Sequence, residues 1–275
     1  MRKALFAVLY FFATAVALLF LTLPLLAIFV HVPPSQLIDQ LSNPVVTDAL
    51  IVSFKTTVIA QALVLLFGTP TAYLLASRRF PGRSLCITLV ELPLVLPPAV
   101  AGIGLLAAFG RAGLLGSSLR SAGIALPFTQ SAVVIAVAFV SSPLYVRNAI
   151  AAFEAVDSNL VAASRTLGAG SARTFFRVML PLARGGLVAG AALAFARGLG
   201  EFGATIMFAG SLQKVTQTLP LAIYAEFEVN FDVTLAISAL LVLISAVLLI
   251  SLKLTSLWQP SEQISPSRFD RLSWS

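Results

Sequence analysis

Three ionisable residues of this chain stand inside or beside long apolar stretches: Glu91, Arg197 and Glu201. A charge in such a setting is costly and faces a partner or a watery cavity. Arg197 and Glu201 are four residues apart, the spacing at which opposite charges meet on one helix face. An ion pair that holds the helices together is the reading we prefer to substrate binding, because an isolated charge there would be expensive. Near Glu91, Pro93, Pro97 and Pro98 must interrupt a helix and free backbone carbonyls that a neighbour or a cavity has to satisfy. Gly198, Gly200 and Gly203 permit close helix contact or a bend. The combination fits a mobile gate. Glu91, Pro97, Arg197, Glu201 and Thr205 are therefore the candidate lining of a path or gate.

The residues of ordinary enzyme chemistry are missing. The chain has one cysteine, Cys86, and one histidine, His31. That excludes an internal disulfide and a cysteine-rich or multi-histidine metal site. No paired carboxylates or serine–histidine set stands out, so a membrane enzyme is the weakest reading. No cofactor is expected. His31 reads as an interfacial, solvated residue, and Cys86 as a small packing residue.

The elements that must position these residues are membrane helices. Of 275 residues 59% are hydrophobic and 11% charged, against about 25% charged in a soluble domain. The apolar stretches are near the length of a bilayer crossing and lack a period of two. Six spans are expected, near residues 5–30, 49–75, 85–109, 131–146, 185–209 and 233–254. The first follows Met-Arg-Lys and is too long for a signal-peptide core, so it reads as a retained span. Arg2, Lys3, Arg78, Arg79, Arg83, Arg147, Arg165, Arg173, Arg177, Arg184, Lys253, Arg268 and Arg271 fall on one side, and Arg111, Arg120 and Lys214 on the other. The 13 to 3 asymmetry makes the first side cytosolic, with both termini inside. The net charge of +7 lies between apolar spans rather than on a soluble face, which argues against nucleic acid. Glu226, Glu228 and Asp232 cluster outside, and Trp258 fits the inner interface.

The longest polar interruption is Leu160–Pro181, "LVAASRTLGAGSARTFFRVMLP". It reads as two short helices. Asp157 or Ser158 caps the first, and the Gly168–Gly170 stretch breaks it, since glycine allows the positive φ of a helix end. Ser171 is the candidate cap of the second, which is expected to stop at Pro181. Ala162, Ala163 and Ser164 leave a thin face that another protein could approach. On physics alone an amphipathic helix on anionic lipid competes, with Arg173 and Arg177 at the headgroups and Phe175 and Phe176 buried.

This stretch resembles the cytosolic signature loop of ABC importer permeases: "EAA", three residues, glycine, nine residues, then "IxLP". Ala162, Ala163 and Ser164 take the first places, Gly168 the glycine, Val178 the isoleucine, and Leu180-Pro181 the end. Ala162 stands where the family's usual acid would, so the resemblance carries no salt bridge from that position. Within the family, "ARGLGEFGATIMFAGSLQKVTQTLPLAIY" (196–224), "LPLVLPPAVAGIGLLAAFGRAGLLG" (92–116) and "GTPTAYLLASRRFPGR" (68–83) resemble molybdate/tungstate permeases. The resemblance covers about residues 47–254.

It implies an all-α, polytopic, six-span type I ABC importer permease. Residues 1–46 would hold the first helix and an outer loop, 47–258 the permease core with a coupling loop at about 155–181, and 259–275 a cytosolic tail. It further implies a homodimer in the plasma or inner membrane. Two ATPase subunits would sit inside and a periplasmic or extracellular oxyanion-binding protein outside. Ala162, Ala163, Ser164, Gly168, Val178, Leu180 and Pro181 would couple to the ATPase. No GxxxxGK[ST] pattern occurs in these residues, so ATP hydrolysis is expected on another chain. The expected function is import of molybdate or tungstate. A sulfate or thiosulfate permease of the same fold is the alternative; an ATP-independent carrier would need mid-span coupling carboxylates and lack the Gly168–Pro181 pattern.

Overall fold

The computed structural model describes residues 2–31 and 34–257, all helix and connecting turn, with no strand among them. The tail at 259–275, Trp258, Arg268 and Arg271 lie outside the described residues.

Helix α1 (Arg2–His31) is apolar on every side, its window of mean hydropathy 2.5 is unburied by the rest of the chain, and it touches the molecule mainly at the last long helix. Such a helix needs lipid or a second protein surface, not water. Short α2 (Pro34–Leu41) leads to α3 (Pro44–Ser77), which starts with Asn43 Oδ1 accepting from Val45 N–H at 2.9 Å. With α7 (Gln130–Glu154) and α10 (Leu180–Leu199), α3 makes the centre of the bundle.

The contacts give the directions. Lys55 Nζ donates to Gln130 Oε1 at 2.9 Å, Thr69 and Tyr145 hydroxyls are 2.6 Å apart, and Arg83 meets Glu154 at 2.6 Å. These pairs advance together, so α3 and α7 run parallel. Between α7 and α10 the order reverses: a Cβ on Gly186, Gly190 or Gly198 would lie 2.5 Å from Ala152 Cβ, 2.7 Å from Asn148 Cβ and 2.8 Å from Val137 Cγ1. The Gly186–Gly190 pair thus does what small residues do in membranes, letting two helices approach closely. The core is correspondingly small: Ala60, Ala132, Ala136, Val137, Ala149 and Ala194 are buried. Without a hydrophobic drive between helices in lipid, such packing, rather than bulk, holds them.

The third span is not one straight crossing. Helix α4 (Arg83–Val95) and helix α5 (Pro98–Phe109) meet at 115° across Leu96–Pro97. Pro97 and Pro98 have no N–H to continue the ladder, and the residue before a proline is pushed from helical to extended backbone; Leu96 sits at ψ 135. Five helices are long and apolar enough to span, and six if this bent pair counts as one. After α5 come α6 (Gly116–Ser121) and the loop to α7.

The fifth span differs from expectation at both ends. It runs Ser171–Leu199, and Gly203–Ala209, α11, is a separate short helix. Pro181 does not stop the second loop helix. It sits at the second residue of α10, where the helix absorbs it by widening into a π turn over Phe175–Met179; Leu180 N–H reaches back to the Phe175 carbonyl. That wider turn relieves the clash a proline makes with the carbonyl four residues before it. Ser171 is the first helical residue rather than the cap; Gly170 takes that place without a side-chain bond. The chain closes with α12 (Leu219–Glu226) and α13 (Phe231–Leu257).

Candidate functional site

Two arrangements matter: the breaks where α4–α5 and α10–α11 meet, and the loop that joins α7 to α10. At the first, Glu201 is enclosed, its side chain 1% exposed. Its Oε2 lies 2.7 Å from Arg197 Nη1, and its Oε1 accepts from Ala204 N–H at 2.8 Å. One carboxylate therefore ties the last turn of α10 to the first turn of α11 across the bend at Gly200–Phe202. The contact to Arg197 is a close charge pair without hydrogen-bond alignment. Arg197 is one-third exposed, so its remaining donors face an open side.

The two short helices lie against each other through glycine. A Cβ on Gly203 would fall 2.7 Å from Pro98 Cβ, and one on Gly102 would fall 2.6 Å from the Ala204 carbonyl oxygen. No side chain fits at Gly102, since the obstacle is backbone. The break predicted at Pro97–Pro98 and the GEFG turn thus form one joint, packed against α7 through Ala101, Leu105, Phe208 and Ala209. Pro97 is exposed at this joint as the cap position of α5. Thr205 is fully buried in α11 and its hydroxyl has no hydrogen-bond partner in the protein.

Glu91 does not join this group. Its Oε1 is 3.7 Å from Arg147 Nε, and both side chains are well exposed. Arg147 lies some six to ten residues further along α7 than Val137 and Ser141, which flank Gly198, or about 9–15 Å at the helical rise. Sequence reading also passed over Gln61, Gln217 and Thr218. Each carries an enclosed polar atom without a protein partner. The signal was available: Gln61 interrupts an apolar run within α3, and polar groups at membrane depth are costly. Ser53 Oγ, in the same helix, accepts from Leu219 N–H at 2.7 Å and holds the start of α12.

The loop helix α8 (Ser158–Thr166) is capped by Asp157, whose Oδ1 accepts from Asn159 N–H at 2.8 Å. Gly168 has φ +82, the left-handed conformation anticipated for it. Ala169 N–H and Leu167 N–H then close the helix end on Ser164 and Ala163 carbonyls. Ala162 and Ala163 are exposed, on the loop's outer face. Ser164 turns inward instead, its hydroxyl 3.1 Å from that of buried Thr174, and pins α8 to the following helix, α9 (Ser171–Thr174). Val178 and Leu180 are half-buried beneath, and Pro181 is exposed. Phe175 packs edge-on with Tyr73, ring centres 4.7 Å apart, and near Phe153 at 6.1 Å. The loop is therefore two short helices pinned to each other and packed on Tyr73 and Phe153 through Phe175.

Residues 65–257 match the family model described as "Binding-protein-dependent transport system inner membrane component". The chain is 44% identical to the molybdenum transport system permease protein ModB of Mycobacterium tuberculosis over 85% of this chain and 88% of that one. It is 35% identical to the sulfate transport system permease protein CysW of Synechococcus elongatus, over 81% and 77%. In fold it is similar to a bacterial alginate ABC transporter solved with a pentasaccharide-bound periplasmic protein, at TM-score 0.64 and 16% identity, over 93% of this chain and 94% of that one. Five candidate spans and a sixth broken at Leu96–Pro97, a glycine-turned loop and a match across most of the chain agree: the protein belongs to the binding-protein-dependent transport system inner membrane components, as the permease subunit of an ABC importer whose ATPase is a separate subunit.

Proposed function

We propose that the chain carries molybdate, and the similar tungstate, across the inner membrane. The observation that carries this is the 44% identity to a molybdenum permease over 85% of the chain, against 35% over 81% for a sulfate permease. Two copies would form the path on a shared axis, with both termini and the 147–184 loop in the cytosol. Residues 47–258 would make the permease core. Ala162, Ala163 and Gly168 would present the loop to an ATPase groove, with Ser164, Val178, Leu180 and Pro181 holding its angle.

The joint of α5 and α11 is suited to be the gate. Its two breaks are held by one enclosed carboxylate and by glycine contacts, not by a continuous helix. Closure of the ATPase pair would move the loop, and α10, continuous with it through the π turn, would carry the movement to Arg197 and Glu201. The energy enters as different contacts with two permease states. Arg197 would be the cationic side chain at this joint, and a path poor in cations would suit release of a dianion. Selection would rest mainly with the binding protein.

The test is ATP hydrolysis by the permease assembled with its ATPase and binding protein. Molybdate should stimulate it and equimolar sulfate should not. Stimulation by sulfate alone would assign the chain to sulfate transport.

A further inference from the structure

A polar cavity among the described residues lies away from the proposed gate. It has a volume of about 680 Å3 and sits where the inner end of α3, the turn into α4 and the loop helix α8 meet. Arg79, Arg83 and Arg165 line it, each from a different segment, and Glu154 is the carboxylate among them. Arg83 is already oriented: Nε donates to the Leu75 carbonyl at 2.6 Å and Nη2 to Glu154 Oε1 at 2.6 Å. Arg79 and Arg165 have no acidic partner among the described residues. The floor is rigid and apolar, with Tyr73 and Phe153 packed edge-on at 5.6 Å.

Three guanidiniums against one carboxylate leave the cavity net positive, and guanidinium forks match phosphate oxygens. Tyr73 and Ala76 put the cavity at the end of a candidate membrane span, on the side of the basic loop. We propose that this cavity binds a phosphate group, either the headgroup of an anionic phospholipid of the inner leaflet or free phosphate. Bound there, the anion links α8 to the ends of α3 and α4. It would stiffen the loop from one side; Ala162 borders the cavity, and Ala163 does not line it. The claim rests on the loop being cytosolic, but not on which oxyanion is carried.

The experiment reads binding rather than transport. Purified full-length protein is titrated with dioleoyl-phosphatidylglycerol, dioleoyl-phosphatidylcholine or inorganic phosphate, and bound ligand is counted by native mass spectrometry beside thermal stability. The double variant Arg79→Gln/Arg165→Gln is compared with Arg173→Gln/Arg177→Gln, which removes equal charge from the same loop region without touching the cavity. Phosphatidylglycerol should bind the wild type and the control alike, and the cavity variant about thirty-fold more weakly, the loss of two arginine–headgroup contacts. The same pattern with inorganic phosphate, and no preference between the lipids, assigns the free anion. Equal binding to both variants overturns the proposal. So does the absence of any binding by lipid or phosphate; an acidic side chain of the ATPase would then be the better occupant. Molybdate-stimulated hydrolysis that persists in either case leaves the transport reading untouched.

Discussion

Glu201 is the residue on which the gate region turns, because its two oxygens serve two helices. Removing its partner should therefore cost more than removing both. Arg197→Met leaves an enclosed carboxylate without a counter-charge, and the expected loss is about 3–5 kcal/mol before allowing for Arg197's partial exposure. The double variant Arg197→Met/Glu201→Gln should recover most of it, since a glutamine oxygen still accepts from Ala204 N–H. Thermal unfolding of the purified variants checks the order. Exchanging the charges, Arg197→Glu with Glu201→Arg, should restore uptake only in part, as an arginine at 201 has nothing to offer that N–H. If Arg197→Met is as stable as wild type but changes which anion is carried, the arginine belongs to the substrate path. The pair was legible in the sequence from its spacing; the third contact, to Ala204, was not, because it crosses a bend.

At the scale of elements, three glycines should behave differently from one another. At Gly190, a Cβ meets Asn148 2.7 Å away, so Gly190→Ile should force α10 from α7 and reduce the folded yield. Gly200→Ala should be tolerated, because its nearest neighbour is 3.8 Å off. At Gly168 there is open space around a Cβ, and only φ +82 resists it. Gly168→Val should cost about 1–2 kcal/mol locally, leave the membrane part folded, and weaken ATPase binding and transport. Gly168→Asn should be milder, since asparagine tolerates the left-handed region. Co-purification with the ATPase subunit measures both. Full transport by Gly168→Val would return the loop to a lipid-surface role.

The whole molecule exposes an apolar shell and carries one basic loop between α7 and α10. Its parallel α3–α7 and antiparallel α7–α10 pairings agree with helices that alternate through a bilayer. With Cys86 replaced, a cysteine at exposed Gly170 should react with an impermeant maleimide only after the membrane is opened. Labelling in intact cells would reverse the proposed orientation. A cysteine at Ala163 should cross-link to the ATPase with a yield that changes with nucleotide.

Hydropathy and the loop's glycine spacing were enough to determine an all-helical membrane chain of the ABC importer permease type. These are local or compositional properties: a bilayer demands about twenty apolar residues, and a positive φ favours glycine, although Phe128 and Lys214 also adopt it. Tertiary structure alone decided how those places are built. Pro181 reads locally as a stop, yet a π turn carries the helix through it, because buried Thr174 and Met179 anchor the chain on either side. Glu91 and Glu201 look alike in sequence, yet one pairs with exposed Arg147 and the other closes a joint. Which partner each glutamate meets depends on how α4 lies on α7 and α11 on α5, contacts between segments far apart in the chain that local spacing does not encode.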